Sequence, residues 1–184
     1  VDRLRMAFMF SIGRDTKAEG AEEGTPLVED GFMYVTNTWS KLMKVDVRSG
    51  VRGQPVWRFD PKSEFTRSNK GPALLGDNVY ITTNDVRLFA VNKRTGEPVW
   101  EKNMVSPTES NTQRTTPGPL VVKNLVMQSE STGGQSGTRS WIAAADAKTG
   151  DLIWENRLGP QGAVPNVATR NLGIYEDKVY LATN

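Results

Sequence analysis

Apolar and polar positions alternate along this chain in short stretches, and the stretches recur. "TPLVEDGFMYVTN" (25–37), "PALLGDNVYITTN" (72–84), "GPLVVKNLVMQSE" (118–130) and "NLGIYEDKVYLATN" (171–184) each hold two apolar runs around a tight polar turn. A period of two in Val, Tyr, Ile and Thr predicts half-buried strands. The pairs Asp30-Gly31, Asp77-Asn78 and Lys123-Asn124 tolerate the positive φ that two-residue hairpin turns require. A second element follows the first three: "KVDVRSGVRGQPVW" (44–57), "AVNKRTGEPVW" (90–100) and "AADAKTGDLIW" (144–154). Each reads as a strand, a polar turn ending in Gly, and another strand carrying Trp. No stretch carries a convincing amphipathic helix pattern.

Each repeat therefore predicts four short strands. Gly50, Gly96 and Gly150 recur at about 45 to 55 residues, the period of a β-propeller blade. The predicted fold is all-β, a propeller of four-stranded antiparallel blades in one domain over 1–184. The blades fall at about 20–60, 70–104 and 115–158, with the start of a further one at about 168–184. The repeat breaks off at Asn184, and a closed propeller takes four to eight blades. The pattern thus predicts a piece of a larger propeller, whose open sheet edges invite self-association.

The turn has a local logic. Asp46, Asn92 and Asp146 can accept backbone N–H groups, and the glycine supplies positive φ. Trp57, Trp100 and Trp154 then stand on one strand face, where a large ring with one N–H can lock neighbouring blades. Trp39 and Trp141 lie outside the pattern.

Composition narrows the chemistry. The 184 residues carry 23 Lys and Arg against 21 Asp and Glu, a balance that makes no electrostatic case for nucleic acid or a membrane surface. The opening "VDRLRMAFMFSIGRD" is too short and too charged to span a bilayer. There is no His and no Cys, which excludes disulfides, ordinary zinc sites, Ser-His-Asp triads and Cys-His nucleophiles. Any reaction must use carboxylates, Lys, Tyr, Arg or a bound cofactor. The richest loop for an anionic ligand is "STGGQSGTR" (131–139), where glycines expose backbone N–H groups, Thr132, Ser136 and Thr138 add hydroxyls, and Arg139 adds a planar cation. The same composition also suits a plain blade-connecting hairpin. Glu23, in "AEGAEEGT", reads equally as part of a solvated acidic loop, and Thr116, in "QRTTPGP", as part of a turn.

The repeat "A-x-D-x-x-T-G-x-x-x-W" resembles the tryptophan-docking repeat of pyrroloquinoline quinone (PQQ) propellers, over nearly the whole chain. Two groups share it: quinoprotein alcohol dehydrogenases, which hold PQQ with calcium or a rare-earth ion in eight blades, and non-catalytic scaffolds such as outer-membrane assembly lipoproteins. "VDRLRMAFMFSIGRD" and "EEGTPLVEDGFMYVTNTWSKLMKVDVRSG" are similar to the segment before the dehydrogenases' first blade and to that blade. The resemblance implies that Glu23, Thr116, Thr132, Gly133 and Gly134 contact PQQ, and it favours the ligand reading of the 131–139 loop, in which Arg139 also binds the cofactor. It also implies that Gln135 stands where the family has a metal-binding Glu. An amide there loses a charge and bidentate binding, which lowers Ca²⁺ affinity. The family's vicinal Cys pair, expected near "EFTRSNKG", is missing, and the Arg after it is matched by Lys70. The family's catalytic Asp belongs to later blades. The implied function is part of a periplasmic dehydrogenase that oxidises an alcohol or a sugar and passes electrons to a cytochrome-type acceptor. This piece alone is expected to be inactive. The alternative is a propeller that binds other proteins without catalysis.

Overall fold

The computed structural model describes residues 4–13, 22–104, 118–130, 141–157, 172–176 and 178–181. Among the described residues the alternation becomes fourteen strands and no helix. β1 (Leu27–Glu29), β2 (Phe32–Thr36), β3 (Leu42–Asp46) and β4 (Gln54–Phe59) form one four-stranded antiparallel sheet in chain order. β5 (Ala73–Leu75), β6 (Asn78–Thr82), β7 (Arg87–Asn92) and β8 (Pro98–Asn103) form a second. β9 (Leu120–Val122), β10 (Leu125–Glu130), β11 (Trp141–Asp146) and β12 (Leu152–Arg157) form a third, and β13 (Leu172–Tyr175) pairs with β14 (Lys178–Leu181) as a hairpin.

Register repeats from sheet to sheet. Tyr34, Tyr80 and Met127 pair with Leu27, Ala73 and Leu120. Each outer strand is bulged at one place, opposite Lys44/Val45, Ala90/Val91 and Ala144/Ala145. The bulge re-phases the outer strand, so that Trp57 and Phe59 pack toward the second sheet while Val56 is left half-exposed.

The core lies between sheets, as in a propeller. Tyr34 and Leu42 of the first blade pack on Val79, Ile81, Phe89 and Val91 of the second. Tyr80, Leu88 and Ala90 of the second pack on Val126 and Ala145 of the third. On its opposite face the first blade presents Val35, Met43 and Val45, the register counterparts of Ile81, Phe89 and Val91. Phe10 and Ile12, from the segment before the first sheet, cover that face.

The polar turns behave as their residues dictate. Asp46 Oδ1 accepts the Arg48 N–H at 3.0 Å; Asn92 Oδ1 accepts those of Arg94 and Thr95; Asp146 Oδ1 accepts those of Lys148 and Thr149. Trp57 Nε1 donates to the Lys93 carbonyl at 3.0 Å, and its ring lies so close to Gly96 that a Cβ there would sit 2.7 Å from it. Trp100 repeats this on Ala147 (3.1 Å) and Gly150. In the first blade two residues divide the glycine's work. Gly50 takes the positive φ (67°) with nothing near it, while Gly53, four residues before Trp57, takes an aromatic ring. A Cβ on Gly53 would lie 2.9 Å from a Val45 methyl, 3.1 Å from the Phe8 ring and 3.2 Å from the Phe10 ring. The aromatic seat of the first repeat is thus Gly53 rather than Gly50, because "VRG" separates turn from seat. One hairpin also differs from expectation: the β5–β6 turn is Gly76-Asp77, and Asn78 opens β6.

Candidate functional site

The blades have two ends. Hairpin turns and Trp contacts gather at one, where Lys93 Nζ meets Glu29 across the blade boundary. At the other end lie the β2–β3 and β6–β7 loops and the connector from β4 to β5. We refer to this second end as the upper end.

At the upper end the segment leading into β1 runs beside the connector leading into β5. Glu22 and Asn69 form a parallel bridge, and the Thr25 N–H donates to the Lys70 carbonyl at 3.2 Å. Backbones approach closely. A Cβ on Gly71 (φ 104°) would lie 2.6 Å from the Thr25 carbonyl oxygen, and one on Gly118 would lie 2.7 Å from the Gly71 carbonyl oxygen. Only glycine permits that contact at positive φ. The entries to β1, β5 and β9 are thereby drawn together.

Glu23 and Lys70 meet there. The two form an ion pair, each side chain close to half-exposed, and Ser68 Oγ donates to Glu23 Oε1 at 3.3 Å. Neighbouring Glu22 turns the other way and accepts the Thr38 N–H at 3.3 Å. Burial raises the Glu22 carboxyl above its ordinary value, and the Thr38 N–H offsets part of that.

Asn69 lies beneath the pair. Its side chain is buried and all four of its hydrogen-bonding positions are used. Oδ1 accepts from Thr36 Oγ1 (2.7 Å) and the Gly71 N–H (2.9 Å); Nδ2 donates to Ser40 Oγ (3.1 Å) and the Thr82 carbonyl (3.3 Å). Asn84 Nδ2 adds a bond to the Thr38 carbonyl at 2.9 Å. Sequence reasoning passed over Asn69. The signal was its place: Glu23, Asn69 and Thr116 each stand three residues before the proline that opens an inner strand.

Of the residues expected at a cofactor, Glu23 is therefore placed, and beside Lys70. Thr116, Thr132, Gly133, Gly134, Gln135 and Arg139 lie outside the described residues. The strand ends on either side of residues 131–140 are placed: Trp141, at the start of β11, packs with Val86 of the upper β6–β7 loop. Gln128, also buried, has no hydrogen-bond partner among the described residues for either amide atom and occupies the register position of Val35 and Ile81. Among the described residues no group of three or more acidic side chains could hold a metal ion. Away from the inner strands, Trp39, Met43, Arg58, Phe59 and Ile12 line a cavity of 510 Å³.

Successive four-stranded antiparallel sheets with shared interblade cores define a β-propeller, and comparison with known proteins agrees. The chain belongs to the family described as outer membrane protein assembly factor BamB, which matches residues 15–178. It is 36% identical to the dehydrogenase subunit of a quinone-dependent alcohol dehydrogenase from Komagataeibacter europaeus, over 98% of this chain and 25% of that protein. Its fold superposes on a europium-containing methanol dehydrogenase with a TM-score of 0.72 at 28% identity, covering 85% of this chain and 27% of the other. It superposes on BamB from Moraxella catarrhalis at 0.61 and 19% identity, covering 90% and 45%; that likeness concerns the fold alone. The resemblance to quinoprotein alcohol dehydrogenases thus holds in sequence and in fold. The chain spans about a fifth to a quarter of the length of the curated relatives it matches.

Proposed function

We propose that this chain supplies consecutive blades of a PQQ-dependent alcohol dehydrogenase, and that the upper end of the inner strands forms part of the cofactor wall. The observation that carries this reading is the Glu23–Lys70 pair: two residues far apart in sequence, Glu23 expected at the cofactor and Lys70 standing where the family has an Arg, meet at one exposed point. The donor set fits the cofactor. PQQ is a flat tricarboxylate with a pyrrole N–H. Lys70 offers its carboxylates a cation, Ser68 a hydroxyl, and Glu23 an acceptor for the N–H. When bound, PQQ supplies the electron acceptor for alcohol oxidation, and a Ca²⁺ or rare-earth ion supplies Lewis acidity. The residues of this chain bind and orient; the proton-abstracting carboxylate is assigned to other blades, and Thr116, the 132–135 loop and Arg139 complete the wall. An alcohol or sugar substrate, a cytochrome-type electron acceptor and a periplasmic location belong to the same reading.

The test is PQQ uptake by the complete protein. Stoichiometric binding of added PQQ, weakened in Lys70→Ala and Glu23→Gln, supports the reading. Absence of binding sinks it. A non-catalytic, protein-binding propeller then takes its place, a reading favoured by the match to an assembly-factor family.

A further inference from the structure

We propose that Asn69 is a positioning residue for the cofactor wall, fixing Lys70 against Glu23; this inference rests on the PQQ reading above. Lys70 is a long, flexible cation with little intrinsic preference for one position. Its backbone is held from both sides. On one side the Lys70 carbonyl accepts the Thr25 N–H. On the other, Asn69 ties the preceding residue to Thr36, Ser40 and the Thr82 carbonyl, and its Oδ1 also accepts the Gly71 N–H. One amide therefore brackets Lys70, bonding at positions 69 and 71, and anchors the connector to two blades at once.

The geometry separates Asn69 from a general filler of the core. It sits at the boundary between two blades, bonded to Thr36 of the first and to the Thr82 carbonyl of the second. Its four bonds run to groups that end strands or turn loops, so removing the amide frees the connector rather than opening the core. Gly71 adds a second constraint. Its positive φ and its 2.6 Å approach to the Thr25 carbonyl admit one path for the backbone, and the Oδ1 bond to its N–H selects that path.

The experiment is a double-mutant cycle on PQQ affinity, measured by fluorescence titration of the complete protein in its cofactor-free form. Asn69→Ala should weaken PQQ binding about tenfold, the lower range for residues that orient a direct ligand-binding group. In a Lys70→Ala background the same substitution should change affinity by less than about twofold, because its effect runs through Lys70. Equal weakening in both backgrounds means that Asn69 acts through the fold at large, and overturns the proposal. If Asn69→Ala does not fold, Asn69→Thr takes its place in the cycle, since Thr116 stands at the matching position of the third repeat. Wild-type affinity in both Lys70→Ala and Glu23→Gln overturns the cofactor reading and this proposal together. A loss at Lys70 without coupling to Asn69 overturns this proposal alone.

Discussion

The two ends of the blades obey different rules. At the lower end three turns carry one design: an Asp or Asn side chain accepts turn N–H groups, and at two interblade boundaries an indole seals the step between sheets. At the upper end the first two blades differ: one has Asn37-Thr38-Trp39-Ser40, the other Thr83-Asn84-Asp85-Val86. Yet backbone geometry survives the change: Ser40 and Val86 both take positive φ, and each donates its N–H three residues back, to Asn37 and Thr83. A scaffold repeated at one end leaves the other free to vary in chemistry.

The largest effect should come from removing an indole. Trp100→Ala loses a large apolar contact and the bond to the Ala147 carbonyl, and should cost about 3 kcal/mol in urea unfolding. Phe8→Ala should cost less, since Phe8 occupies the equivalent seat without an N–H to donate. Equal costs would show that ring area alone closes the steps. The glycines sharpen the same contrast. Gly96→Ala forces a Cβ into the Trp57 ring at a φ of 77° and should cost about 2 to 3 kcal/mol. Gly50→Ala meets only the backbone penalty, about 1 kcal/mol, because nothing lies within 4 Å. If the two cost the same, the seat at Gly53 has been misassigned.

The lower end was legible in the sequence because its instructions are local. An Asp or Asn, a Gly and a Trp within twelve residues specify turn, conformation and contact, and the copies confirm one another. The split between Gly50 and Gly53 escaped, because an insertion moves the seat without changing the turn motif. At the upper end Glu23 and Lys70 were each marked by resemblance, but their pairing joins residues separated by a whole blade, which no local pattern encodes. Asn69 was silent for a related reason. Its four partners come from positions 36, 40, 71 and 82, so only the packed blades show that a single amide serves them all.

Acid should distinguish turns that look alike. Hydrogen bonds from the Arg48 side chain and backbone hold the Asp46 carboxyl at about 2, against an ordinary 3.8, and the Thr149 and Lys148 N–H groups hold Asp146 below its ordinary value. Both are depressed in the folded state. Their contribution is therefore present above the unfolded value and lost as pH falls through the folded one. Asn92 does the same work without a charge. Asn92→Ala should cost about 1 kcal/mol at every pH, whereas the cost of Asp46→Ala should shrink as pH drops from 5 toward about 2. Melting curves of both variants across that range decide it; parallel behaviour would mean that Asp46 acts by shape alone.

The smallest effect, and the one of opposite sign, belongs to the upper end. Glu22 has its carboxyl raised by burial, with the Thr38 N–H as partial offset. A raised folded value means that Glu22 favours the folded state below its unfolded pKa, and that this contribution is lost as pH rises through the folded value. At neutral pH the ionised carboxylate therefore opposes folding. Glu22→Gln keeps an oxygen to accept the Thr38 N–H and removes the charge. It should stabilise the protein slightly at pH 7, by well under about 1 kcal/mol given the exposure of the side chain, and leave stability at pH 4 nearly unchanged. The difference in melting temperature between Glu22→Gln and the parent, followed from pH 4 to pH 8, should grow with pH. A difference that shrinks instead would mean that the ionised Glu22 is stabilised at the upper end by a cation, which would bring a second carboxylate into the wall beside Glu23.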